Sequence, residues 1–135
     1  MALDRTGGSF SNGVTMQIWS KMLSNLNQSW NISYNSDADA YFVETAPNGQ
    51  KVLEDLSFAT NDGARLGVWD KVQGNANQQW IIIPVARKSG HFVFFNVHSI
   101  KVMDATAQGR TNGTPVQQWE YVNADSEEWL LETYR

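Results

Sequence analysis

Short runs of β-branched and aromatic residues, each bounded by turn-forming residues, recur along the whole chain. Such runs are typical of β-strands, and no stretch places apolar residues at helical spacing over the roughly ten residues that a packed helix needs. Pairs such as Asn12-Gly13 and Asp62-Gly63 tolerate positive φ and predict tight turns between strands. The pattern predicts an all-β protein with almost no helix, and its clearest strands cover residues 41–43, 51–53, 66–69, 81–83 and 92–95.

The same pattern returns with a period of 50 residues. Four series of residues recur at this interval: the acids Asp4, Glu54 and Asp104, the glycines Gly13, Gly63 and Gly113, the tryptophans Trp19, Trp69 and Trp119, and the tryptophans Trp30, Trp80 and Trp129. In the last series the third unit is one residue shorter. Four series in one register indicate three homologous units. We place them approximately at residues 1–39, 40–89 and 90–135 of a single domain.

Three units of about four strands each restrict the architecture. Propeller blades usually number four or more, and a solenoid needs capping repeats at its ends. A closed barrel with threefold pseudosymmetry fits better. The fold that we expect is therefore the β-trefoil, in which one pair of strands per unit builds the barrel and the other pair caps its base.

Unit one departs from this plan at its start. Units two and three open with strands at residues 40–44 and 91–96, whereas unit one begins directly at Ala2-Leu3-Asp4. We therefore expect the first strand of unit one to be missing. Either the chain has been cut, or its tail (residues 130–135) partly covers the gap, or a neighbouring molecule does so. Because an unpaired edge favours association, we expect a monomer or a homodimer, with an exchanged strand as one form of the dimer.

Composition narrows the function. The formal net charge of −4 argues against a nucleic-acid partner, which needs a basic surface, and the absence of cysteine excludes disulfides and thiolate metal sites. No apolar run approaches the roughly 18–20 residues of a membrane span, and the first residues lack the pattern of a signal peptide. We expect a soluble chain that inserts in no membrane and needs no cofactor, located in the cytoplasm or within a secreted multidomain protein.

A Gln-x-Trp motif ends the units. It is present as Gln28-Ser29-Trp30 and Gln78-Gln79-Trp80, and in degenerate form as Glu127-Glu128-Trp129. With these motifs at this period, the chain resembles the ricin-B lectins and the related family 13 carbohydrate-binding modules over essentially its whole length. The resemblance implies a non-catalytic, multivalent lectin that binds glycans, with galactose and N-acetylgalactosamine as the default sugars.

A sugar offers hydroxyl groups and a weakly apolar face, so a binding site needs a carboxylate, amides and an aromatic plane. By resemblance, Asp4 of unit one accepts hydrogen bonds from two adjacent hydroxyls, Trp19 stacks on the sugar and Asn27 binds a further hydroxyl. Gln28 then supports Asp4 from behind, and Gln17, thirteen residues after Asp4, lines the same pocket. We expect this site to be the strongest.

The other two units match the pattern less completely. Unit three keeps Asp104, Gln117 and Trp119, and we expect Asp125 to take the place of the asparagine. Unit two keeps Trp69, Asn77 and Gln78 but has Glu54 for the aspartate and Gly67 for the glutamine. We therefore rank unit three second and unit two third. The Gln-x-Trp tryptophans, in contrast, are expected in the core.

Other classes of function remain open. His91 and His98 lack an evident acidic or cysteine partner at metal spacing, and no Gly-x-Ser-x-Gly, P-loop or His-Glu-x-x-His motif occurs, so we expect no catalysis. A trefoil also serves as a protease inhibitor, or as the protein-binding targeting domain of a larger toxin or glycosidase. An inhibitor would carry one distinctive long loop. Here the repeated polar positions are the distinctive ones, which favours the lectin.

Overall fold

A computed structural model describes residues 1–133, and the last two residues of the predicted tail lie outside the described part. The described chain forms eleven strands, joined by loops that include six single turns of 3₁₀ helix. The near absence of helix is thereby confirmed for these residues. The strands are β1 (Ala2–Arg5), β2 (Met16–Trp19), β3 (Trp30–Asn35), β4 (Ala40–Thr45), β5 (Lys51–Asp55), β6 (Leu66–Asp70), β7 (Trp80–Pro84), β8 (His91–Asn96), β9 (Val102–Ala105), β10 (Val116–Trp119) and β11 (Trp129–Leu130).

Five strands run around a barrel in the order β3, β4, β7, β8, β11, and each pairs antiparallel with the next. The hairpins β3–β4 and β7–β8 join consecutive units, and the pairings β4–β7 and β8–β11 close the barrel between hairpins. Between β3 and β11 the ring stays open, because within residues 1–133 no strand pairs with the remaining edge of either. This is the β-trefoil expected from the sequence, and residues 1–133 hold no counterpart of β4 and β8 in unit one.

Three further hairpins, β1–β2, β5–β6 and β9–β10, cap one end of the barrel. They meet around the pseudo-threefold axis through single bridges between successive units, Thr15 with Gly67, Gln17 with Pro115 and Arg65 with Gln117. The Asn/Asp-Gly turns reinforce these contacts. Asn12 bonds to Asp70, Asp62 accepts from the Glu120 amide and Asn112 accepts from the Ser20 amide. Each turn therefore ties its hairpin to another unit as well as reversing its own chain.

The core lies where the cap meets the barrel. Strand alternation sends one face of each cap strand inward, so Met16 and Ile18 of β2 are buried whereas Trp19 reaches the surface. The same register buries Leu53, Leu66 and Val116. Trp80, the tryptophan of the second Gln-x-Trp motif, is fully buried and donates its indole N–H to the Leu53 carbonyl at 3.0 Å. The core position predicted for it is correct.

The described part of the tail lies beside the open face of the barrel. The Leu131 amide donates to the Gly90 carbonyl at 3.0 Å, and Glu132 forms an ion pair with Lys21 of unit one. Residues 131–133 are not in a strand and do not complete the ring. In the described part of the chain, no helix has both the length and the apolar character needed to cross a membrane.

Candidate functional site

The carboxylate of unit one is held by two amides. Asp4 is buried to 4% exposure on β1, where it lies opposite Gln17 of β2. Gln17 donates to one carboxylate oxygen at 3.0 Å, and Gln28 donates to the other at 3.0 Å. Gln28 also bonds to the Ser20 carbonyl and the Met22 amide, so it fixes the loop after β2 as well. These bonds orient Asp4 while each of its oxygens keeps acceptor capacity for a further donor.

Behind this carboxylate lies a residue that the sequence analysis missed. Arg5, at 1% exposure, donates to the Ser9 carbonyl and to the side-chain oxygen of Asn27 at 3.3 Å. The amide nitrogen of Asn27 has no acceptor among the described residues and can donate to a ligand. The backbone of Gly8, at φ +66°, approaches so closely that a Cβ would lie 2.7 Å from this nitrogen. The asparagine predicted for the site is thus held from both sides.

The tryptophans Trp19, Trp69 and Trp119 each lie two residues beyond the position that pairs with the carboxylate of the same unit. They are 37%, 43% and 39% exposed, because each lies on the outward face of a cap strand, at its last residue or, for Trp69, next to it. Each indole also packs on the turn glycine of another unit, and a Cβ on Gly13, Gly63 or Gly113 would lie 3.6–3.9 Å from the ring that covers it. The indoles therefore have a packing role and still leave a face open to solvent.

Unit three repeats the carboxylate arrangement with one substitution. Gln117 donates to one oxygen of Asp104 at 2.9 Å, and the Ser126 hydroxyl donates to the other at 2.6 Å. Asp125 does not take the asparagine position that we expected, because the 3₁₀ turn at residues 125–127 aligns Ser126 with Asn27. Asp125 is instead 62% exposed and paired with Lys88 and Arg110, and its bond to Lys88 lowers its pKa.

Glu127 stands where the other units have the glutamine of the Gln-x-Trp motif. It is 1% exposed, and one of its oxygens accepts from the Val122 and Ala124 amides at 3.0 Å. Its second oxygen, in the place of the donating amide nitrogen, has no partner among the described residues. Burial raises the pKa of Glu127, and the nearby Asp104 adds to that rise. Unit three has therefore lost one of its two amide donors.

Unit two has a different and less open arrangement. Gln78 donates to Glu54 at 2.9 Å, but Gly67 supplies no second amide, and burial raises the pKa of Glu54. A Cβ on Gly67 would lie 2.9 Å from the Leu56 side chain, so an apolar group fills the space that Gln17 and Gln117 use elsewhere. Asn77, at 1% exposure, turns its amide inward to the Asp55 carbonyl at 3.1 Å. In unit two, therefore, position 67 has no side-chain amide, and the side-chain amide of Asn77 does not face a ligand.

The residue behind the carboxylate differs in each unit. Arg5 in unit one corresponds to Asp55 in unit two and Ala105 in unit three. Asp55 is fully buried, its two carboxylate oxygens have no partner among the described residues, and burial raises its pKa to about 7. Beside Ala105 the structure leaves a cavity of about 210 Å³. Unit one alone has a cation at this position.

Among the described residues, neither histidine is hydrogen-bonded to a pocket carboxylate. A ring nitrogen of His98 lies 3.0 Å from the Phe58 carbonyl, and one of His91 lies 3.1 Å from the Ser89 carbonyl. Residues 1–133 contain no cluster of three or more metal-ligating side chains of the His, Cys, Asp and Glu types. The candidate site is therefore the set of three repeated carboxylate pockets.

Comparison with known proteins identifies similar chains. A family model described as a ricin-type beta-trefoil lectin domain-like family matches residues 26–119 and 76–134. The designed threefold-symmetric protein ThreeFoil is 26% identical with a TM-score of 0.85, and the match covers 95% of this chain and 87% of that one. A comparison with curated protein sequences gives no match.

Two natural proteins of known structure share the fold. The Macrolepiota procera ricin B-like lectin, solved in complex with lactose, is 22% identical with a TM-score of 0.75, over 95% of this chain and 84% of that one. An exo-beta-1,3-galactanase from Clostridium thermocellum is 21% identical with a TM-score of 0.85. That match covers 95% of this chain but 26% of the galactanase, so this chain spans about a quarter of the enzyme's length.

Proposed function

The chain belongs to the family of ricin-type β-trefoil lectin-like domains, and from that premise we propose that it is a non-catalytic lectin for galactose-type glycans. The observation that carries the proposal is the pocket of unit one. There the Asp4 carboxylate is oriented by two amides, and the same strand pair carries an outward-facing indole at Trp19. A carboxylate bridging two hydroxyls and an aromatic plane beneath the ring is the chemistry that a pyranose requires.

Galactosides are the proposed ligand class. Support comes from the lactose complex of the Macrolepiota lectin and from the galactanase, whose names mention galactose-containing sugars. In galactose the axial 4-hydroxyl and the neighbouring 3-hydroxyl lie on one edge of the ring, where a single carboxylate can accept from both. The opposite C–H face is left for the indole of Trp19. Asn27, whose amide nitrogen is free, would donate to one of the same hydroxyls.

We propose further that binding is multivalent but unequal. Unit one has a complete set of ligand groups, unit three has Asp104 with one amide, and unit two has no amide facing out beside Glu54. One monosaccharide in a shallow pocket gains little affinity, so two unequal sites acting on a branched or clustered glycan would bind more tightly than either site alone.

A glycan array tests this proposal. Wild-type protein is compared with Asp4→Ala, Asp104→Ala and the double variant, with the exposed Asp37→Ala as matched control. We expect galactosides among the bound glycans, most of the signal lost in Asp4→Ala, less lost in Asp104→Ala, and none lost in the control. Tryptophan fluorescence checks that every variant is folded. A wild type that binds no glycan, or a folded Asp4→Ala that keeps the full signal, would contradict the proposal.

A further inference from the structure

The side-chain amide of Asn27 is fixed at its oxygen and free at its nitrogen. Arg5 donates to the Oδ1 atom at 3.3 Å, and no described residue accepts from Nδ2. The guanidinium of Arg5 is itself held in place, because it donates to the Ser9 carbonyl at 3.0 Å and lies 3.8 Å from the centre of the Phe10 ring. Asn27 is half-buried, so its nitrogen is the end of the amide that can reach a ligand.

The same amide lies against the backbone of Gly8. A Cβ built on this glycine would lie 2.7 Å from the Nδ2 atom of Asn27, 3.0 Å from Oδ1 and 3.2 Å from Cγ. Non-bonded heavy atoms pack best at about 3.5–4.0 Å, so all three distances are too short. The amide therefore occupies a space that any side chain at position 8 would take from it.

The backbone of the turn does not by itself require glycine at this position. Gly7 and Gly8 both have φ +66°, and a Cβ on Gly7 would meet no atom within 4 Å. Units two and three carry side chains at both positions of the turn, with φ between 52° and 60°: Ser57, Phe58, Ala107 and Gln108. Because the left-handed turn accepts a Cβ in those units, the space beside Asn27 is what distinguishes position 8.

Units two and three show what accompanies a side chain at the equivalent position. Unit two has Phe58 there, and Asn77 turns its amide inward to the Asp55 carbonyl at 3.1 Å. Unit three has Gln108 there, and the shorter Ser126 takes the place of the asparagine. In both units, therefore, a side chain at this position goes together with the loss of an outward asparagine amide.

We propose that Gly8 is a positioning residue of the unit-one pocket. By leaving the space beside Asn27 empty, it keeps the Nδ2 atom of Asn27 turned toward the sugar, while Arg5 holds the amide oxygen. Gly8 has no side-chain donor of its own, so its whole effect passes through Asn27. This inference rests on the proposed sugar binding of unit one and identifies what makes its amide donor available.

The first test needs no sugar. NMR records the side-chain amide signals of the protein, and those of Asn27 are identified by their loss in Asn27→Ala. Gly8→Ala should move the Asn27 signals, whereas the matched variant Gly7→Ala should leave them in place because its Cβ points into open space. Both variants place a Cβ at φ +66°, so urea unfolding should show similar losses of stability. Unmoved Asn27 signals in folded Gly8→Ala would overturn the inference.

Titration calorimetry with lactose tests the consequence for binding. Gly8→Ala should weaken affinity about fivefold, the effect of one lost hydrogen bond, and Gly7→Ala should leave affinity unchanged. In an Asn27→Ala background, Gly8→Ala should cause no further loss, because the amide that it displaces is already gone. A further loss of the same size in that background would overturn the inference, since Gly8 would then act on something other than Asn27.

The two measurements separate this inference from the proposed function. A wild type that binds no lactose would contradict sugar binding, and the amide signals would still decide whether Gly8 positions Asn27. Lactose binding that Gly7→Ala and Gly8→Ala weaken equally would leave sugar binding standing and overturn the role of Gly8. Displaced Asn27 signals together with a fivefold loss confined to Gly8→Ala would support both.

Discussion

The pockets of units one and two are built on the same strand register but differ in what they offer to a ligand. In unit one two glutamines orient Asp4, Asn27 keeps a free amide nitrogen, and Arg5 lies behind. In unit two a leucine fills the place of one glutamine and the asparagine is turned inward. The difference shows that a repeated framework preserves the position of a pocket without preserving the polar groups that line it.

The largest expected effect comes from the carboxylate of unit one. Asp4→Asn turns an acceptor into a donor that faces the amides of Gln17 and Gln28, and it removes the charge from the sugar contact. We expect galactoside affinity to fall at least about 30-fold, which is roughly 2 kcal/mol. The matched change Glu54→Gln in unit two should alter affinity by less than about twofold. Titration calorimetry with lactose measures both, and equal losses would contradict the ranking of the units.

The outward-facing tryptophans Trp19 and Trp69 provide a second test of the difference between units one and two. Trp19→Ala should weaken lactose binding about tenfold, because a stacked aromatic contributes on the order of 1 kcal/mol beyond its buried area. Trp69→Ala should leave lactose binding unchanged. Since both indoles pack on a turn glycine of another unit, both variants should lose stability to a similar degree in urea unfolding. If Trp69→Ala loses as much affinity as Trp19→Ala, the proposed stacking role is wrong.

The residue behind the pocket in unit two predicts a pH dependence of stability. Asp55, facing Glu54, Asn77 and His98, has a pKa raised to about 7 by burial. Because the folded state then binds the proton more tightly than the unfolded state, stability should fall as pH rises from about 4 to about 7. Asp55→Asn removes this loss and offers an amide donor to the unpartnered oxygen of Asn77.

Urea unfolding at pH 5 and pH 8 measures this effect. We expect the gain in unfolding free energy from Asp55→Asn to be larger at pH 8 than at pH 5 by about 1 kcal/mol or more, since one unit of pKa corresponds to about 1.4 kcal/mol. The exposed Asp37→Asn serves as control and should show no such difference. A gain that is the same at both pH values would mean that Asp55 titrates normally.

The smallest effect is expected in unit three. Glu127→Gln restores the amide that unit one has at Gln28 and removes a carboxylate whose pKa burial raises. In an Asp4→Asn background, which isolates unit three, lactose affinity should rise about threefold from one regained neutral hydrogen bond to Asp104. The increase should be largest above the raised pKa of Glu127, where the wild-type side chain is charged. Calorimetry at two pH values measures it, and a fall in affinity would contradict the account.

The fold was open to prediction because it depends on periodic features. The alternation that buries Met16 and Ile18, the three acids and the three outward tryptophans are all visible in the spacing of the sequence. The sequence also showed that residues 1–39 contain no counterpart to β4 and β8.

The pocket details were less predictable because they depend on contacts between loops distant in sequence. Nothing in the spacing indicates that Leu56 fills the space beside Gly67, or that Asn77 turns toward Asp55. The loss of one residue in unit three also obscured which side chain replaces the asparagine, and the 3₁₀ turn resolves it in favour of Ser126. The residue after each acid did indicate that the three pockets differ, because Arg5, Asp55 and Ala105 differ in charge whereas the acids do not.

The most direct test of the unequal pockets is a lactose titration of the wild-type protein followed by the NMR signals of the six indole N–H groups. We predict that the Trp19 signal moves at the lowest sugar concentration, that Trp119 follows at higher concentration, and that Trp69 and the buried Trp80 stay in place. Movement of the Trp69 signal before that of Trp19, or equal movement of all three outward indoles, would contradict the claim that unit one is the principal sugar site.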